Sequence, residues 1–219
     1  MSQPPRRLGR DRLSVKASVA AAFLRLNGWA FEGSLPLSRR YVLIAAPHTS
    51  NWDFVYMIAM AWSVGVRLNW TGKASLFDSP LGWLFRRLGG IPTRSDVRLN
   101  VVEQSAIRFA REDAFVLAVP AEGTRRLAAT WRSGFYHIAH LGEVPIVLGY
   151  LDYARKRGGL GPEIHPSGDL TADMDRIRAF YADKVGRYPS QFTEPRLADE
   201  QHDADSQLLS VRPVDLPVR

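Results

Sequence analysis

The stretch Tyr41-Val42-Leu43-Ile44-Ala45-Ala46-Pro47-His48-Thr49-Ser50-Asn51-Trp52-Asp53 decides the fold. It opens as a continuous apolar run and is stopped by proline. A run this short, carrying Val and Ile, has the character of a strand buried on both faces of a covered sheet. From Asn51 a helix-like pattern continues to about residue 64. A strand feeding a helix through a short turn is the building unit of an α/β fold, and open α/β sheets bind ligands at the carboxyl ends of their strands. His48 sits at such an end, five positions before Asp53. Histidine changes charge near neutral pH, and a carboxylate on its second ring nitrogen fixes the tautomer and stabilises the cation. The same residues also fit a plain structural reading. Ser50-Asn51-Trp52-Asp53 matches the S-x-x-[DE] capping box, in which Asp53 caps a helix and His48 is a turn residue. The two readings are compatible, because a carboxylate held in a first helical turn is a rigid support for a histidine.

Outward from this stretch, apolar strands and amphipathic helices alternate. Short strands are expected over residues 29–35, 67–73 and 160–165, and in the segment entering Arg94. Phe115-Val116-Leu117-Ala118-Val119 and Val144-Pro145-Ile146-Val147-Leu148-Gly149-Tyr150 read as further buried strands. Helices are expected over residues 79–88, 97–112, 131–141 and 171–185. In the second of these Leu99, Val102, Ala106, Phe109 and Ala110 form one stripe. Near the start, Val15, Val19, Ala22, Phe23, Leu26 and Trp29 recur at helical spacing with Lys16 and Arg25 off that face. This helix either packs on the domain or lies in a lipid interface with its cations toward headgroups. The resulting organisation is a single α/β domain with a mixed sheet covered by helices. Residues 1–28 form a basic N-terminus with an amphipathic helix, residues 29–189 the central domain, and residues 190–219 a polar, proline-bearing tail.

Composition narrows the chemistry. The 219 residues contain no cysteine, which removes disulfides, thiolate nucleophiles and cysteine-ligated metals. Net charge is +7, from 29 basic and 22 acidic side chains, and suits anionic lipid, phosphorylated substrates or nucleic acid. The arginines are spread out and no nucleic-acid reader module is present, so no nucleic-acid partner is expected. The N-terminus resembles a signal peptide only superficially, since Arg25 and Asn27 interrupt its apolar part. No apolar run reaches the roughly 18–20 residues that a spanning helix needs. The G-x-S-x-G, G-x-x-x-x-G-K-[ST], G-x-G-x-x-G and H-E-x-x-H patterns are all missing.

Two further loops carry candidate binding groups. Ala121-Glu122-Gly123-Thr124-Arg125-Arg126 follows a buried strand, and arginine offers a planar fork that matches phosphate. Gly89-Gly90-Ile91-Pro92-Thr93-Arg94, with Lys73 upstream, either adds cations to the same mouth or leaves a solvent-facing arginine after a tight turn. His137, His140, His165 and His202 lack partners at motif spacing and are read as structural or surface residues.

Taken in order, His48…Asp53, Gly90-Ile91-Pro92-Thr93-Arg94, Glu122-Gly123-Thr124-Arg125 and Val144-Pro145-Ile146-Val147 resemble the ordered blocks of the glycerolipid acyltransferase family, which includes the 1-acyl-sn-glycerol-3-phosphate acyltransferases. The resemblance covers roughly residues 29–150. It implies a glycerol-3-phosphate acyltransferase-like fold and O-acyl transfer from a thioester, acyl-CoA or acyl carrier protein, to a lysolipid hydroxyl. His48 would be the general base and Asp53 would orient it. Lys73, Arg94, Glu122, Gly123, Thr124 and Arg125 would bind the acceptor headgroup, and residues 144–147 would help shape the site. The resemblance implies no metal and no cofactor beyond the acyl donor as co-substrate. It implies a peripheral or monotopic enzyme on the cytoplasmic face of an anionic membrane, acting in phospholipid biosynthesis. Ala121 and Arg126 depart from the family's usual residues on either side of Glu122–Arg125, which leaves the acceptor open: lysophosphatidate is the default and a lyso-ornithine lipid an alternative. A non-catalytic lipid-binding protein on the same fold and a thioester hydrolase are the competing functions.

Overall fold

The computed structural model describes residues 15–93, 98–198 and 200. Seven strands form one mixed sheet, and they alternate with helices as the sequence pattern predicts. In chain order they are β1 Ala30–Glu32, β2 Arg40–Ala46, β3 Leu68–Lys73, β4 Gly90–Thr93, β5 Phe115–Val119, β6 Ile146–Asp152 and β7 Arg157–Ile164. Their order across the sheet is β1-β7-β6-β2-β5-β3-β4. The pairs from β6 through β2, β5 and β3 to β4 are parallel, whereas β7 runs antiparallel to β6 and carries β1 parallel to itself. The helices are α1 Val15–Leu26, α2 Asn51–Ser63, α3 Ala74–Phe77, α4 Gly82–Arg87, α5 Arg98–Arg111, α6 Gly134–Leu141 and α7 Leu170–Tyr181.

The buried strands divide their side chains between two layers because successive residues point to opposite faces. Val42 and Ile44 of β2, Phe115 and Leu117 of β5, and Ile146 and Leu148 of β6 pack against Phe135, Ile138, Met174, Ile177 and Tyr181 of α6 and α7. Tyr41, Leu43, Val116, Ala118 and Val147 face the other way, toward Ile58 and Ala61 of α2 and Phe77 of α3. From β2 the chain passes through α2 to β3, beyond β5. From β5 it passes through α6 to β6, on the far side of β2. These opposed crossovers make the carboxyl ends of β2 and β5 the switch point of the sheet, where such folds open a crevice.

Helix α1 packs by a different face from the stripe picked out in the sequence. Ala17, Ala20 and Leu24 are buried, and the small alanines allow close approach to α2. Val15, Val19 and Leu26 are left 82%, 62% and 87% exposed. The helix is therefore apolar on two sides, one against the domain and one outward. No helix among the described residues is long and apolar enough to cross a membrane.

The segment after residue 189 departs from the expected tail. Residues 190–198 pack on the domain: Leu197 is buried and forms a parallel bridge with Trp131. The buried Thr193 exchanges hydrogen bonds at 3.0 Å with the backbone of Ala128, and its carbonyl accepts from Trp131 Nε1 at 2.9 Å. A few well-spaced anchors suffice to hold a stretch whose average composition is polar. Residues 1–14 and 201–219 of the expected basic N-terminus and tail lie outside the described residues.

Candidate active site

The turn after β2 carries both readings of its sequence at once. Ser50 is the N-cap of α2, with its hydroxyl accepting from Trp52 N, and Asp53 closes a capping box. Asp53 Oδ2 accepts the backbone N–H groups of Thr49 and Ser50, each at 2.7 Å. The same oxygen lies 3.4 Å from His48 Nδ1. Asp53 is buried and His48 partly exposed, so the carboxylate is fixed in the wall while the far side of the imidazole meets solvent-accessible space.

That space has two compartments. One is an apolar cavity of about 420 Å³ between the sheet and α2, lined among others by Leu43, Trp70 and Ala118 from the strands, Met57 and Ala61 from α2, and Phe85 from α4. The other is a polar cleft at the surface with Lys73, Thr124, Arg125 and Arg126 on its rim. His48, Asn51, Pro120 and Arg125 border both, so His48 stands where an apolar chamber meets a cationic mouth. The volume is within the roughly 300–1,000 Å³ usual for small-molecule sites.

The loop after β5 brings its residues to this mouth in an uneven way. Arg125 donates from Nη1 to Asn51 Oδ1, which ties the loop to the first residue of α2. Thr124 Oγ1 accepts from Arg126 N. Gly123 has φ +68°, which strains any other residue, and the Arg132 side chain lies against it and would have to shift for a Cβ. Glu122 does not line the cleft. It is 1% exposed and turns inward, where Oε1 accepts the His48 backbone N–H at 2.5 Å. It therefore lies beneath the His48 turn and not at the headgroup position expected for it. Burial pushes its pKa from 4.5 up to about 7, against the opposing pull of the His48 amide, the His48 ring and the Thr193 amide. Its second oxygen, Oε2, is buried with no hydrogen-bond partner among the described residues.

Lys73 closes β3 and reaches the cleft, whereas Arg94 lies outside the described residues. The Val144–Val147 block is core rather than site: Ile146 and Val147 are fully buried, and it is Gly149, Tyr150 and Leu151, further along β6, that border the apolar cavity. Several residues at the site carry no motif signal. Tyr188 N donates to Thr49 Oγ1 at 3.2 Å, and the Gln191 side-chain amide lies within hydrogen-bond reach of Arg125 O and Thr49 O. Both belong to the C-terminal segment that wraps the turn. Tyr153, from the turn between β6 and β7, donates its hydroxyl to Asp53 Oδ1 at 2.7 Å.

A histidine–carboxylate pair thus stands at a strand-end crevice of an α/β sheet, with an apolar chamber on one side and basic side chains on the other. Residues 30–148 match the sequence model of the acyltransferase family, and the chain belongs to that family. Among solved structures it is similar to the 1-acyl-sn-glycerophosphate (LPA) acyltransferase PlsC from Thermotoga maritima. The TM-score is 0.56 at 16% identity, over 95% of this chain and 86% of that one, and this likeness concerns the fold. A search of curated protein sequences finds no match.

Proposed function

We propose that this acyltransferase moves a fatty acyl group from a thioester, acyl-CoA or acyl carrier protein, to the hydroxyl of a lysolipid, with lysophosphatidate as the default acceptor. The observation that carries the reading is the position of His48 on the border of the apolar cavity and the cationic cleft. The fatty chain occupies the cavity and the anionic headgroup meets Arg125, Arg126 and Lys73, which leaves the junction for the reacting atoms. With Nδ1 turned to Asp53, Nε2 accepts the proton of the acceptor hydroxyl. The oxygen attacks the thioester carbonyl, the carbon–sulfur bond breaks, and the imidazolium returns the proton to the leaving thiolate. No acyl-enzyme is required, and the steps need no metal or cofactor besides the donor.

The test is direct assay of the purified protein with both donor types and a panel of lysolipids, monitoring acylated product and free thiol. Lysolipid-dependent product supports the reading. Thiol release indifferent to lysolipid identifies a hydrolase, and neither product nor thiol identifies a binding protein. Within this reading, Ala61→Phe fills part of the cavity and is expected to shift donor preference to shorter chains, as read by competition among acyl donors of different length.

The outward stripe of α1 is the proposed contact with the cytoplasmic leaflet, with apolar side chains at the acyl boundary and cations at headgroup level. Val19→Asp is expected to weaken co-sedimentation with anionic vesicles roughly tenfold, by removing buried apolar area and adding a repelled charge. Its exposure means that the melting temperature stays unchanged. Undiminished vesicle binding would place the membrane contact elsewhere.

A further inference from the structure

Asp53 is held at both oxygens, and the second anchor lies outside every recognisable motif. Oδ2 already accepts the Thr49 and Ser50 amides and faces His48. Oδ1 accepts the Tyr153 hydroxyl at 2.7 Å. Tyr153 is itself fixed on several sides. Its backbone N–H donates to Val185 O at 2.9 Å. Its ring stands edge-on to Trp29, with centroids 4.9 Å apart, and edge-on to Tyr56 at 6.0 Å. The Arg187 guanidinium lies 5.9 Å from the ring centroid. Burial and the Asp53 carboxylate push the phenol's pKa far above its ordinary value, so the hydroxyl remains a donor throughout the neutral range.

We infer that Tyr153 is a positioning residue for acyl transfer: it pins Asp53 Oδ1 so that Oδ2 is presented to His48 Nδ1. The inference rests on the reading of His48 as the general base. The terminal torsion of an aspartate is soft, so a carboxylate held through one oxygen still swings about its Cβ–Cγ bond. The His48–Asp53 separation is 3.4 Å, already at the long end of a useful contact, and a small swing would break it. A hydroxyl on the other oxygen removes that freedom, and the packed rings around Tyr153 remove the freedom of the hydroxyl. Trp29 directly follows the turn at the end of α1, so the packing of the N-terminal helix also reaches the His48–Asp53 pair through this phenol.

The experiment compares the full-length wild type, Tyr153→Phe, Asp53→Asn and the double variant. Phenylalanine keeps the ring and its packing and deletes only the oxygen, and melting temperature serves as the folding control. Steady-state kinetics with acyl donor and lysolipid should show kcat falling about ten- to a hundred-fold in Tyr153→Phe, with both KM values nearly unchanged. In the Asp53→Asn background the same substitution should cost little more, because the residue it acts through is altered. A second readout needs no turnover. In protein labelled with ¹⁵N-histidine at pH 8, with His48 assigned by its loss in His48→Gln, the ring signals should report the Nδ1–H tautomer in wild type and a tautomer mixture in Tyr153→Phe. An unmoved kcat with unmoved ring signals overturns the inference, as does an equal fall in kcat in both backgrounds. An inactive wild type would sink the acyl-transfer reading alone, and the ring signals would still decide the role of Tyr153.

Discussion

His48→Ala should lower kcat for acyl transfer by at least ~10²–10⁴, the span associated with losing a general base. Three features of the structure argue for an effect of this size. The ring borders both compartments, and His48 is the only histidine among the described residues that lines either of them. Asp53 cannot substitute, because it is buried and engaged by the Thr49 and Ser50 amides and by Tyr153. Lys73 and Arg125 stand exposed at the rim of the cleft, and Arg125 is already a hydrogen-bond donor to Asn51 Oδ1. The fold should survive, because the hydrogen bonds that fix the turn come from the backbone N–H groups of residues 48–50 and from Asp53, none of them from the imidazole. The measurement is kcat beside the melting temperature. A fully active His48→Ala enzyme of normal stability would remove His48 from the chemistry and return it to the role of a turn residue.

The parts of this architecture that are readable in the sequence are those where one local pattern has one physical meaning. Strands β2, β5 and β6 are apolar on both faces and bounded by proline or charge, and such runs have few alternatives in a chain of this composition. The capping box of α2 is likewise local, and Ser50 and Asp53 form it as the spacing requires. Readings fail where the determinant is distant. β7 begins at Arg157, several residues before the expected start, since Gly158 and Gly159 look like a turn. In the structure a Cβ on Gly159 would strike the backbone of Glu32, so the glycine is there to let β1 approach. Helix α6 begins at Gly134 rather than 131, because Trp131 is spent on the bridge to Leu197. At the site, the His48–Asp53 pair and the cation-bearing loop are legible. The direction in which Glu122 points is not, and Tyr153 is invisible, because a hydrogen bond across 100 residues leaves no spacing to read.

Glu122 gives the other large effect, and it is one of stability against pH. The folded-state pKa is raised from 4.5 to about 7, chiefly by burial. Between those values the folded protein binds a proton that the unfolded chain has released. Stability therefore falls as pH rises through this window: the contribution is fully present below about pH 4.5 and is lost above pH 7. The shift corresponds to about 2–3 kcal/mol between pH 5 and pH 8. Glu122→Gln carries no such titration but retains an oxygen for the His48 amide. Its stability relative to wild type should thus be higher at pH 8 than at pH 5 by that same amount, measured by urea unfolding at the two pH values. Parallel curves for the two proteins would show that the carboxyl titrates normally and that its burial is relieved in solution. Glu122→Ala separates the charge from the hydrogen bond. It leaves the His48 backbone amide without its acceptor, at a cost of roughly 1–3 kcal/mol for a buried donor, and frees the backbone that carries the His48 ring. Glutamine should accordingly keep most of the acyltransferase activity at pH 7, whereas alanine should lose it about ten- to a hundred-fold while still folding. Equal loss in both variants would mean that the negative charge itself, rather than the grip on His48, is what the reaction uses.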